Sequence, residues 1–190
     1  MGESSMIYLV IGGSASGKSE FAESICTVAG GQVAYVATMQ PFGKDAQYRI
    51  ARHLKLREGK GFLTVEQYTD IAKLRDHLGD RAQTLLIECM SNLCANEMFS
   101  PEGIGANAGE WIAAGVDTLS GYYRNIVIVT NEVFSDGVQY DSETMRYLEQ
   151  LGKLNRLLAE RADGVVEVFY GIPLILKDNS GWLQQMIAKD

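Results

Sequence analysis

Gly12, Gly17, Lys18 and Ser19 stand in the order G-x-x-x-x-G-K-S/T inside the stretch VIGGSASGKSEF. That spacing suits a loop that cradles phosphate. Its glycines permit positive φ and close backbone approach, so successive N–H groups of Gly12, Gly13, Ser14, Ala15, Ser16 and Gly17 can turn toward phosphate oxygens. A helix opening at the end of the loop adds its partial positive charge. Lys18 then reaches the β- and γ-phosphates of a nucleoside triphosphate, and the Ser19 hydroxyl ligates Mg²⁺. An apolar run before the loop and a helical pattern after it supply the context the motif needs. The competing reading is a glycine-rich strand-to-helix turn with an incidental lysine.

A metal held there needs an acid at the end of a neighbouring strand. TLLIEC ends with Glu88 in place, and IVIVTNE ends on Glu132. Glu88 is the stronger candidate for Mg²⁺ because it follows an apolar run; for either acid the alternative is a solvated strand-end carboxylate. Of the two histidines, His77 lies among charges in KLRDHLGD and reads as a surface residue. His53 has different company. Arg49, His53 and Arg57 recur at every fourth position and share one helix face. Such a face holds an anion beside a nucleophilic imidazole, or it is a solvated basic surface. Residue types alone leave both open.

These groups need a frame. MIYLVIGG, QVAYVAT, TLLIEC, RNIVIVTNE and GVVEVFYG read as strands, several apolar on consecutive residues, the pattern of parallel strands covered on both faces. GFLTVEQ is a weaker strand and IPLILK a terminal one. Helical patterns cover 17–29, 44–58, 69–78, 90–98, 108–120 and 142–162. The alternation predicts one α/β domain over 1–190, with a mainly parallel sheet flanked by helices. Residues 1–5 read as a frayed end and the Gly-rich SPEGIGANAGE as a mobile excursion.

Composition narrows the partners. A hydrophobic share of 46% is enough for a sizeable core, and a net charge of −7 argues against a broad nucleic-acid or anionic-membrane surface. No apolar run approaches the about 20 residues of a membrane span. MGESSM lacks the basic-then-apolar order of a signal peptide. Cys26, Cys89 and Cys94 form no CxxC or metal spacing and read as reduced thiols, so a cytoplasmic location is expected.

Taken in order, the segments resemble the bifunctional adenosylcobinamide kinase / adenosylcobinamide-phosphate guanylyltransferase family of cobalamin biosynthesis. The resemblance runs through the phosphate loop, YVAT at 35–38, RIARHLKLR, LLIEC with the later Asn96, VTNEV at 129–133, LNRLLAERAD at 154–163 and GIPLILK at 171–177. It implies a RecA-like P-loop NTPase fold, a homotrimer, GTP or ATP as substrate and Mg²⁺ as cofactor. It also implies two reactions on a corrinoid partner, adenosylcobinamide. One is γ-phosphate transfer to a hydroxyl. The other is attack by a histidine on the α-phosphate of GTP, with GMP then passed to the phosphorylated corrinoid. By motif position that histidine is His53, with Arg57 offsetting phosphate charge and Thr38 and Glu66 at guanine-nucleotide contacts.

The chain departs from the family pattern at four places. Ser14-Ala15-Ser16 carries no arginine inside the loop, Phe134-Ser135-Asp136 replaces Gly-Met-Gly, Leu148 stands for an arginine before Glu149, and no proline follows Arg57 closely. These changes fall where an acceptor, rather than a nucleotide, would be gripped. The sequence therefore also accommodates a P-loop small-molecule kinase without the covalent step, or a nucleotide-binding switch without turnover.

Overall fold

Runs of consecutive apolar residues are stable only where both faces of a strand are covered, and the fold covers them. The computed structural model describes residues 5–41, 47–48, 50–51, 55, 58–133, 138 and 140–188. Within them lie strands β1 (Met6–Gly12), β2 (Val33–Ala37), β3 (Leu63–Glu66), β4 (Thr84–Glu88), β5 (Asn125–Asn131), β6 (Gly164–Phe169) and β7 (Ile172–Asp178). The helices are α1 (Lys18–Ala29), α2 (Leu74–Leu78), α3 (Met90–Phe99), α4 (Ala108–Ser120), α5 (Ser142–Arg161) and α6 (Trp182–Ile187). All seven strands join one sheet in the order β3-β2-β4-β5-β1-β6-β7. Every pairing is parallel except β6 with β7. The expected α/β architecture is present.

Alternate residues of each central strand feed two separate cores. Ile7, Leu9, Val36, Ile87 and Ile128 pack with α3, α4 and α5 on one face. Tyr8, Val10, Tyr35, Leu86 and Val129 pack with α1 and α6 on the other. The parallel register brings the C-terminal ends of the strands to one edge, aligning Gly12 with Asn131 and Ala37 with both Glu66 and Glu88. Among the described residues no helix is long and apolar enough to cross a membrane.

Three local expectations shift. The helix expected over 69–78 begins later, as a 3₁₀ turn at Ile71–Lys73 running into α2, because Asp70 is left-handed at φ 46°. The buried Glu97 carboxylate holds it there, accepting the Asp70 N–H at 2.6 Å. The same side chain accepts the Ile104 N–H at 3.1 Å, while its carbonyl accepts Gly105 N–H at 2.8 Å. SPEGIGANAGE is thus tied to α3 rather than free. Finally, α6 was not foreseen; Trp182 covers Tyr8 with ring centroids 5.1 Å apart. Residues 1–4 lie outside the described residues.

At Gly103 the tied loop passes against the backbone of α3. A Cβ there would sit 2.3 Å from the Glu97 carbonyl oxygen and 2.7 Å from that of Asn96, both backbone atoms. Gly103→Ala should lower unfolding free energy by about 1–3 kcal/mol. Urea titration should show an earlier midpoint at unchanged slope.

Candidate active site

The loop after β1 forms because the chain must leave a buried strand and enter α1 within a few residues. Ala15 and Gly17 adopt φ of 56° and 92°, and Gly17 caps α1 with no side-chain hydrogen bond to its first turn. The N–H groups at the start of α1 therefore lack a capping side chain, as anion binding requires. The loop is packed by its own Ser16 side chain and by the β6–β7 hairpin. A Cβ on Gly12 would meet Val168 O at 2.7 Å, and the Gly171 N–H donates to Ser16 O at 2.8 Å.

The loop opens on a cleft of about 450 Å³ lined by Ser14–Glu20, Tyr35, Ala37, Met39, Ile50, Glu88, Cys89, Asn92 and Asn131–Val133. Lys18 is buried there, with Nζ donating to the Gly13 carbonyl at 2.8 Å. Burial pushes its ammonium below the ordinary lysine range, against the opposing pull of Cys89, Glu88 and Glu20. The Ser19 hydroxyl donates to Glu88 Oε1. The two residues expected to share a cation are thus in contact, one on α1 and one at the end of β4. Among the described residues no cluster of three or more His, Cys, Asp or Glu could hold a metal without help. One hydroxyl and one carboxylate suit Mg²⁺, which completes its shell with water and substrate phosphates.

Beneath the cleft runs a polar seam that residue patterns did not reveal. Cys89 Sγ and Ser91 Oγ share a hydrogen bond at 2.9 Å, and Asn131 Nδ2 donates to Ser91 Oγ at 2.6 Å. Asn92 Nδ2 donates to Cys89 Sγ at 3.3 Å. Burial pushes the Cys89 thiol up, outweighing its hydrogen bonds to Ser91 and Asn92 and the nearby Lys18, so it stays protonated. The available signal was the strand end in VTNE, where Asn131 closes β5 and Glu132, the residue singled out there, is the next one along.

The remaining candidates separate. Thr38 is fully buried, its hydroxyl donating to Cys89 O at 2.8 Å, while its carbonyl accepts from Asn96 Nδ2 at 2.8 Å. Asn96 also donates to Tyr68 O at 2.9 Å, so it staples the ends of β2 and β3 together. Glu66 ends the edge strand β3, exposed and bonded to Tyr68. His77 is exposed, as its surroundings indicate. His53, Arg49 and Arg57 lie outside the described residues, as do 134–137; Gln47, Tyr48, Ile50, Ala51 and Lys55 of the expected 44–58 helix are helical. After that segment, Lys60 pairs with the buried Glu23 of α1.

Two substitutions follow from this packing. Gly12→Ala has no room against β6 and should displace the loop, abolishing nucleotide binding by calorimetry. For Lys18, a depressed pKa makes the charged form a penalty to the fold. That penalty is present below the depressed value and is relieved as pH rises from there toward the ordinary one. Lys18→Met should therefore raise the melting temperature of the ligand-free protein at neutral pH while removing nucleotide binding.

Comparison with known proteins agrees with this geometry. Residues 8–176 match the family model described as cobinamide kinase / cobinamide phosphate guanyltransferase. The bifunctional adenosylcobalamin biosynthesis protein CobP of Pseudomonas aeruginosa is 28% identical over 171 residues, covering 89% of this chain and 96% of the relative. The corresponding CobU proteins of Escherichia coli and Salmonella typhimurium are each 30% identical over 187 residues, covering 90% of this chain and the whole of the relative. At this modest identity, and with the phosphate loop, its acid partner and the sheet edge in place, the chain is a divergent transferase belonging to the cobinamide kinase / cobinamide phosphate guanyltransferase family.

Proposed function

We propose that the chain uses a nucleoside triphosphate twice on a cobinamide-type corrinoid in cobalamin biosynthesis. The observation that carries this is the meeting of Lys18, Ser19 and Glu88 around the loop at the C-terminal sheet edge, in a chain of this family. In the first reaction, the acceptor hydroxyl oxygen attacks the γ-phosphorus of GTP or ATP. The bond to the β–γ bridging oxygen breaks, the nucleoside diphosphate leaves, and the hydroxyl proton goes to solvent. Loop N–H groups and Lys18 hold the phosphates in line and offset the charge on the leaving oxygen. Lys18 must release the Gly13 carbonyl to do so. Ser19 and Glu88 would hold Mg²⁺, which supplies further charge neutralisation between phosphate oxygens.

In the second reaction, the His53 imidazole attacks the α-phosphorus of GTP and pyrophosphate leaves. A phosphate oxygen of the phosphorylated corrinoid then displaces the imidazole from GMP, forming a diphosphate bond. Splitting the transfer this way keeps the reactivity of the nucleotide in a phosphoramidate. Arg57, on the same helix face by spacing, offsets phosphate charge. Glu66 is free of the sheet interior and suits the N1–H and amino group of guanine; Thr38 contributes through the strand end it fixes, its hydroxyl being engaged by Cys89. Ile172, Leu174 and Leu176 expose one apolar face of the edge strand β7, which supports assembly of copies into the homotrimer that the resemblance implies.

GTP radiolabelled on its α-phosphate should leave label on the wild-type protein, and peptide mapping should place it on His53. His53→Ala should lose the label and retain phosphorylation of adenosylcobinamide. Wild type that phosphorylates the corrinoid but never takes up label would reduce the protein to a kinase. No change in corrinoid mass with any nucleotide would overturn the reading.

A further inference from the structure

The polar seam beneath the cleft takes no part in the chemistry above, yet it fixes one amide of the cleft wall from two sides. Asn131 closes β5, in register with Gly12, the first residue of the phosphate loop. Its Nδ2 donates to Ser91 Oγ at 2.6 Å and to Cys89 Sγ at 3.8 Å. Ser91 is held in turn, sharing a hydrogen bond with Cys89 Sγ and accepting Tyr147 O–H on its carbonyl at 3.2 Å. From α5, Asn155 Nδ2 donates to the Asn131 carbonyl at 3.5 Å, while Asn155 Oδ1 accepts the Thr130 hydroxyl at 2.7 Å. Ser91 is buried, whereas Asn131 is half-buried and lines the cleft. An amide whose nitrogen is turned down onto a buried hydroxyl has its oxygen turned the other way, since the two atoms flank one carbon. Asn131 therefore offers the cleft an acceptor and no donor.

An acceptor in that place is poorly suited to phosphate oxygens, which the loop N–H groups and Lys18 serve, and well suited to a hydroxyl. The sheet order puts it where a hydroxyl is needed. β5 runs between β1, which leads into the loop, and β4, which ends in Glu88, and Lys18, Glu88 and Asn131 line one cleft. Glu66 is elsewhere, since β4 and β2 separate β5 from β3. We propose that Asn131 Oδ1 accepts the hydrogen bond of the acceptor hydroxyl and aims its oxygen at the γ-phosphorus, with Ser91 setting the direction of the amide. This rests on the reading that the cleft transfers a γ-phosphate to a corrinoid hydroxyl. The amide takes no proton. As the oxygen–phosphorus bond forms and the bond to the β–γ bridging oxygen breaks, the hydroxyl proton leaves to solvent. Asn131 thereby supplies orientation, which converts a bound alcohol into an aligned nucleophile.

The test compares an acceptor that has the hydroxyl with one that does not. Adenosylcobinamide phosphate presents a phosphate oxygen in its place, so GMP transfer to it does not call on Asn131. Asn131→Leu keeps the side-chain shape without its polar atoms, and Ser91→Ala leaves the amide undirected. In Asn131→Leu, kcat/KM for phosphorylation of adenosylcobinamide should fall about 10- to 100-fold. In Ser91→Ala the loss should be smaller and fall on kcat, with KM for the corrinoid unchanged, because the hydroxyl is still bound but poorly aimed. GMP transfer to adenosylcobinamide phosphate should match wild type in both variants, as should dissociation constants for GTP and inorganic tripolyphosphate with Mg²⁺, measured by calorimetry. Equal loss of both transfers would assign the seam to holding the strand ends and overturn the aiming role. Weakened tripolyphosphate binding would mean that Asn131 donates to phosphate, and would overturn it too. Wild-type phosphorylation by Asn131→Leu would sink the aiming role alone, whereas wild type that phosphorylates no corrinoid would sink the proposed kinase reaction and the aiming role together.

Discussion

The phosphate loop is held open by backbone pressed against backbone. Gly12 fits because its missing Cβ leaves room for the Val168 carbonyl, and Gly17 fits because Gly171 presses on it from the neighbouring hairpin. One hydrogen bond, from Gly171 N–H to the Ser16 carbonyl, fixes the crest of the loop to that hairpin. The space left by the missing Gly12 Cβ is also filled from within the loop, since the Ser16 Oγ would lie 2.5 Å from it. The Lys18 ammonium donates to the Gly13 carbonyl and the Ser19 hydroxyl to Glu88.

Around that loop the fold is arranged to bring several strand ends into one plane. Parallel pairing sets the register, but the ends themselves are fastened by polar side chains. Asn96 joins the carbonyls of Thr38 and Tyr68, and Asn131 reaches Ser91 across the gap between β5 and α3. Glu97 does the same for the loops behind them, gripping Asp70 and Ile104 at once. These amide and carboxylate contacts are short-range and directional, so the cleft has a defined floor without an apolar core of its own.

The site also carries stress. A buried ammonium, a left-handed alanine in the loop and a left-handed tyrosine beside it are each unfavourable on their own. They lie within one neighbourhood, where the loop meets the start of α1 and the end of β6. Such concentration is expected where ligand binding, rather than folding, relieves the unfavourable terms, with the stability for it coming from the well-covered sheet.

Much of this was written in local patterns. Consecutive apolar residues in MIYLVIGG and RNIVIVTNE demand a sheet covered on both faces, and G-x-x-x-x-G-K-S between strand and helix demands an anion site, because both follow from residue type and near neighbours. The pairing of Ser19 with Glu88 was legible for the same reason: each lies at a fixed place on its own element. Contacts between elements distant in sequence were not. Nothing local to Gly171 says that it supports Ser16, nothing in EMFSPEG says that Glu97 will keep Asp70 left-handed, and Thr38 gives no sign that its hydroxyl belongs to Cys89. Sequence by itself determined the chemistry on offer and the architecture that presents it; the tertiary structure decided which polar groups remain available, since only packing brings the competing partners within hydrogen-bond reach.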